Sequence, residues 1–146
     1  MNLFSAMEIA ASGLSAQRIR LNSLSSNLAN ARTTRTPEGG PYKRIDPVFE
    51  AVPVANRFED LVGDKTAQMA HLVTVPEIRQ DQEPPQTLYD PSHPDADAEG
   101  FVKLPNVNAI QEMVNLITAS RSYEAGVTVM KTLGGMARSA LSIGGS

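Results

Sequence analysis

All ten prolines of this 146-residue chain lie between Pro37 and Pro105. Proline lacks an amide hydrogen and its ring clashes with the preceding helical turn, so it is strongly disfavoured inside helices. The two proline-free flanks can therefore form long helices, and the stretch between them cannot. The sequence divides into an N-terminal helix over 1–31, an irregular middle over 32–105 and a C-terminal helix over 106–146. This division predicts a mainly α fold with a small, Pro-rich, partly β middle insert.

Both flanks carry heptads. In the first, Met7, Leu14, Leu21 and Leu28 recur every seven residues, and Leu3, Ala10, Gln17, Leu24 and Ala31 form a second row that only Gln17 interrupts. Two adjacent rows of this period are the seam of a coiled coil. A helix from Leu3 to Ala31 would be roughly 45 Å long. The second flank takes Asn106, just after Pro105, as its N-cap. Met113, Leu116, Ser120, Tyr123, Val127, Met130, Gly134, Ala137 and Leu141 then alternate by three and four. Gly134 and Gly135 weaken this helix by about 1 kcal/mol each relative to alanine, and Gly144 and Gly145 end it. The two long helices are expected to pair as an antiparallel coiled coil, with Leu21, Leu24 and Leu28 sharing a seam with Tyr123, Val127 and Met130.

The flanking faces of the first helix carry Ser5, Ser12, Ser15, Asn22, Ser23, Ser26 and Asn27. A solvated helix face usually shows Glu/Lys pairs instead. Small uncharged side chains suit a helix packed on neighbouring subunits. The alternative, a soluble two-helix adaptor or export chaperone, calls for charged faces. Asn27, Asn30, Thr33 and Thr34 are expected to cap the helix end and bond to loop backbone. Pro37, Gly39, Gly40 and Pro41 then enforce turns, and Val48–Val52 and Leu72–Val75 read as strands. Glu83 to Asp97, dense in Pro, Asp and Gln, reads as an extended loop.

Little here points to reaction chemistry. Aromatic residues make up only 5% of the chain and Trp is absent, although large aromatics dominate most ligand pockets. A net charge of −3 does not attract nucleic acid. The absence of cysteine excludes thiol catalysis, disulfides and thiolate metal sites. Asp95, Asp97, Glu99 and Gly100 match early positions of a calcium loop, but Asn106 stands where a bidentate glutamate belongs, so we read an acidic turn leading into the second helix. His71 and His93 are the only histidines, and no nucleophile elbow accompanies them. Arg32, Arg35, Lys43 and Arg44 lack the G-K-[ST] of a phosphate loop and read as a basic loop that docks on a neighbouring subunit. The methionines read as packing. No catalytic, cofactor or metal site and no enzyme activity are expected. The N-terminal residues lack the pattern of a cleavable signal peptide, and no stretch is long and apolar enough to insert in a membrane.

Ser12 to Arg44, SGLSAQRIRLNSLSSNLANARTTRTPEGGPYKR, resembles the N-terminal signature of the flagellar basal-body rod and hook proteins, and its TTRTPEGGPYKR portion is similar to the proximal-rod branch of that family. Asp90 to Gly144 resembles the matching C-terminal block, through Ser-Arg-Ser-Tyr-Glu-Ala to the final helix, with Gly126 where the family usually has Asn. The resemblance implies a structural subunit of the periplasmic rod, which assembles helically into a drive shaft around the export channel. Its implied partners are copies of itself, neighbouring proximal and distal rod subunits, a membrane-ring adaptor and the flagellar type III export apparatus. The expected assembly interface is Met7, Leu14, Leu21, Leu24, Leu28, Met113, Leu116, Tyr123, Val127, Met130 and Leu141. Asn27, Asn30, Thr33, Thr34, Pro37, Gly39 and Gly40 form the family-signature turn at the helix end.

Overall fold

The computed structural model describes residues 3–54 and 70–144; Gly145, expected to help end the last helix, lies outside them. Six elements follow in order: α1 (Leu3–Ala29), β1 (Ile45–Pro53), β2 (His71–Gln80), β3 (Gln86–Tyr89), β4 (Phe101–Leu104) and α2 (Ala109–Gly144). The fold is mainly α with a β insert. α1 has 27 residues and α2 has 36, about 40 and 54 Å at 1.5 Å per residue. Gly134 and Gly135 stay inside α2, whose backbone bonds continue through them.

α1 ends where Asn30 N–H donates to Ser26 O at 3.0 Å and Ala31 N–H reaches only three residues back, to Leu28 O. At the start of α2, Asn108 Oδ1 accepts from the backbone N–H groups of Ile110 and Gln111. Asn108 is therefore the N-cap in place of Asn106. Asn106 instead donates to Glu83 Oε2 and accepts from Gln86 Nε2, which holds it to the start of β3.

β1 and β2 form one two-stranded sheet and β3 and β4 another. Both strands run longer than the expected Val48–Val52 and Leu72–Val75. Val54 N–H donates to Ala70 O at one end of the first ladder and Asp81 N–H to Arg44 O at the other, the pattern of antiparallel strands. β3 and β4 are antiparallel in the register Gln86↔Leu104 to Tyr89↔Phe101. The Glu83–Asp97 loop thus contains a strand, and the acidic turn after it leads into β4, not into α2. Its carboxylates hold the turn: Asp97 Oδ1 accepts from Glu99 and Phe101 N–H, and Asp95 Oδ2 from Thr34 Oγ1. Gly100 sits at φ 86°, and a Cβ there would lie 2.9 Å from the Tyr89 ring, so both backbone and space require glycine.

The described residues form two compact units. One draws on residues 3–19, 48–54, 70–76 and 119–144, the other on Arg20–Pro47 and Glu77–Thr118. Small residues fill the first: Ser5, Ala16, Ala70 and Ala119 are buried. Ser12 Oγ accepts from Val73 N–H at 3.1 Å. Ser12 therefore serves β2 of its own chain and not a neighbour, because a short hydroxyl lets a strand approach the helix and satisfies its amide. In the second unit, apolar Leu24, Val102 and Val107 and polar Ser23, Asn27 and Glu112 are all buried. Part of the small polar flank of α1 is thus consumed inside the subunit.

Candidate assembly interface

A polar clasp anchors the second unit. Asn27, 0% exposed, donates from Nδ2 to Ile45 O and Glu112 Oε2, and its Oδ1 accepts from Ile45 N–H and the Tyr42 hydroxyl, all at 2.9–3.2 Å. Both amide hydrogens and both lone pairs are used, which is all a carboxamide can offer. Glu112, 2% exposed, also accepts from Arg44 Nε at 2.8 Å. Arg44 pairs further with Asp46 and lies 3.8 Å from Asp81. Burial alone would lower the pKa of this guanidinium. The Glu112 hydrogen bond and the charges of Asp46, Glu112 and Asp81 outweigh it, so the pKa lies above its ordinary value and the group stays charged.

Arg44 is therefore not part of an outward basic loop, since the buried carboxylate of Glu112 draws it inward. Arg32, Arg35 and Lys43 remain exposed. The family-signature turn builds on the clasp. Asn30 Nδ2 donates to Ser26 O, Thr33 Oγ1 to Asn30 Oδ1, and Tyr42 N–H to Thr33 O. Thr36 N–H closes on Gly40 O, and Gly39 and Gly40 have φ of 91° and 78°, a conformation open to glycine at little cost. Pro37 starts the exposed tip.

The heptad residues fall into three groups. Leu24 is buried, while Met7, Leu14, Leu21, Leu28, Leu116, Tyr123, Val127 and Met130 are half-buried. Met113 and Leu141 are exposed at 51% and 77%. Those two stand at the ends of the α2 stripe. A straight helix drifts about 20° per heptad from a strict seven-residue row, so a stripe four heptads long turns outward at its ends. Glu112, one residue before Met113, takes the inward place. Its signal was a lone carboxylate seven residues ahead of Ala119 on the inward face. In the first unit Leu14 packs against Gly126, and Leu14 also lines a surface depression with Tyr123 and Met130.

In its first turns α2 presents an outward apolar face, where Ile110, Met113, Val114 and Ile117 are each more than half exposed. In the other unit Val129, Met136, Leu141 and Ile143 are also more than half exposed. Among the described residues no helix is long and apolar enough to cross a membrane, and no group of three or more acidic or histidine side chains is arranged to hold a metal.

Two family models match the chain: one described as flagella basal body rod protein over residues 7–35, and one described as flagellar basal body rod FlgEFG protein C-terminal over residues 98–143. Curated relatives match along its whole length. The flagellar basal-body rod protein FlgC of Borreliella burgdorferi is 44% identical over 98% of both chains. Those of Bacillus subtilis and Salmonella typhimurium are 40% and 39% identical over 99% of both. The chain belongs to the FlgC family of flagellar basal-body rod proteins. As a FlgC-family member it is a structural subunit of the flagellar basal-body rod, where it assembles with other rod components. The first family match runs along α1 into the signature turn, and the second covers β4 and nearly all of α2. The clasp residues Asn27 and Glu112 thus lie one in each matched block, whereas Tyr42 and Arg44 lie between them.

Proposed function

We propose that this FlgC-family subunit polymerises helically into the proximal rod, with α1 and α2 paired as an antiparallel coiled coil inside each subunit and the outward apolar face of α2 docked on its neighbours. One observation carries this reading: Ile110, Met113, Val114 and Ile117 stand exposed at i, i+3, i+4 and i+7 of one helix. A contiguous apolar patch on a soluble chain marks an interaction surface. A heterologous contact of this kind repeats as an open screw when its rotation does not close. Antiparallel pairing is supported by Leu14 against Gly126 in one unit and Asn27 bonded to Glu112 in the other, since the α2 partner moves towards its N-terminus as the α1 residue moves towards its C-terminus.

In this reading the polymer is the periplasmic drive shaft, carrying torque and surrounding the export channel. Its contacts are other copies, neighbouring proximal and distal rod subunits and the membrane-ring adaptor. The chain reaches them through the type III export apparatus. The work is mechanical, with no catalysis and no cofactor. Similarity to rod proteins along the full length favours the rod subunit over the adaptor or chaperone.

The test is Val114→Asp with Ile117→Asp in one chain, expressed in place of the native copy. Both sites are more than half exposed, so the free chain should keep its circular dichroism and thermal midpoint while rods and swimming are lost. Normal numbers of isolated basal-body rods from that strain would overturn the proposal.

A further inference from the structure

The chain has four Phe, three Tyr and no Trp, and two of those rings stand together on one face of the β3–β4 hairpin. Tyr89 and Phe101 are opposite each other in the ladder, so their side chains leave the same face. The rings meet edge to face, 5.3 Å between centroids, and remain 64% and 43% exposed. The neighbouring pair, Leu88 and Val102, leaves the opposite face, where Val102 is buried. The hairpin thus gives one face to the core of its unit. Its aromatic face is left without a partner.

Carboxylates rim that face. Asp90 follows Tyr89, Glu99 stands two residues before Phe101, and Asp95 and Asp97 lie in the turn between, against Lys103 and His93. The groups bonded to Asp90, Asp95 and Asp97 are the Ser92 and Thr34 hydroxyls and backbone N–H groups. All are neutral, so the negative charge is left uncancelled. A ring face bordered by carboxylates suits a guanidinium above other side chains, because that flat cation stacks on aromatics and pairs with carboxylate in a fixed fork.

The same unit carries such cations. Arg32, Arg35 and Lys43 are exposed on the signature turn, and among the described residues none of the three is ion-paired or stacked on a ring. Thr34, between the two arginines, donates to Asp95 Oδ2 at 2.7 Å. Each copy therefore holds a basic turn beside an acidic, aromatic hairpin without pairing their charges.

We propose that the signature turn of one copy docks on the hairpin of a second, Arg32 and Arg35 reaching the Tyr89–Phe101 face and the carboxylates of Asp97 and Glu99. This rests on the rod reading above and deepens it. The apolar face of α2 holds the copies together, while the turn and hairpin orient them as they meet, since rim charges act on encounter and specificity more than on affinity.

The chain has no cysteine, so Arg35→Cys in one chain and Glu99→Cys in another, one of them tagged, place a single thiol on each side of the contact. Both positions are exposed. With the two chains expressed together, mild oxidation of isolated basal bodies should yield a disulfide-linked pair of one tagged and one untagged chain. That pair must come from two copies, since neither chain holds both thiols. Normal numbers of rods with no mixed pair, or with like-with-like pairs alone, would overturn the docking proposal and leave the rod reading standing. Absence of the tagged, cysteine-free chain from isolated rods would overturn both. Should the cysteine chains build no rods, a charge swap decides. Arg35→Glu and Glu99→Arg should each cut rod number severalfold while the free chain keeps its thermal midpoint, and the two together in one chain should restore most of it. A double variant no better than the product of the single losses would mean that the two side chains do not meet.

Discussion

Asn27, Arg44 and Glu112 show what a buried polar group requires in this chain. Glu112 is ion-paired to Arg44 and hydrogen-bonded to Asn27, and removing one partner of a buried pair strands the other in a poorly solvated place. Arg44→Met should therefore destabilise the chain by about 3–5 kcal/mol in urea unfolding, while Arg44→Met with Glu112→Met should recover much of that loss. The pKa of Arg44 lies above its ordinary value, so its contribution is complete at every pH below its unfolded value and is lost only in strong alkali. The urea midpoint should carry no Arg44 titration through the neutral range. Asp90 runs the other way. The Ser92 hydroxyl, and then the Ser92 amide, hydrogen-bond its carboxylate and lower its pKa. Whatever Asp90 contributes is present above its unfolded pKa and fades as pH falls through the folded one. In Ser92→Ala, an NMR titration should find the Asp90 carboxyl moved upward.

Among the elements, the helices were legible in the sequence and the small sheets only in part. Proline exclusion and a seven-residue period are strong signals over thirty residues, which is why α1 and α2 fall where those signals predict. Four-residue strands carry almost no periodicity. β3 and β4 are pinned by features with no local pattern: the Gly100 backbone, the Tyr89–Phe101 edge-on ring contact at 5.3 Å and the carboxylates of the intervening turn. Gly100→Ala combines a positive φ with a clash and should cost the hairpin about 1–3 kcal/mol, read as faster hydrogen exchange over 86–104. The α2 cap tells a similar story. Asn106 and Asn108 are equivalent to a sequence rule, and the choice depends on Asn106 being drawn to Glu83 and Gln86. Asn108→Ala should lower stability by about 1 kcal/mol, whereas Asn106→Ala should remain within about 0.5 kcal/mol of the parent. The clasp was half visible. Asn27 stood out as a small polar residue on a long helix, but Arg44 and Glu112 are brought to it across gaps of 17 and 85 residues, a distance no local pattern bridges.

For the whole molecule, burial separates folding from assembly. Leu24, 4% exposed, belongs to the subunit's own core, so Leu24→Asp should unfold its unit, and the loss of rods in such a strain would not report on docking. The outward face of α2 is the informative place, and its character predicts how assembly responds to salt. Val114, Ile117, Val129 and Met136 are apolar, and the chain carries a net charge of −3. If like subunits met through ion pairs, salt would screen them and dissolve the polymer within the range where the Debye length falls to about 3 Å. An apolar contact behaves oppositely, because sulfate is excluded from protein surface and strengthens burial while screening the residual repulsion between acidic subunits. Sedimentation of the purified chain should therefore find more polymer as ammonium sulfate rises, with sodium chloride of equal ionic strength promoting assembly less. The Val114→Asp, Ile117→Asp chain should stay monomeric in both. Dissolution of wild-type polymer by sodium chloride would instead assign the contact to the exposed arginines of the signature turn and the acidic loop that follows β3.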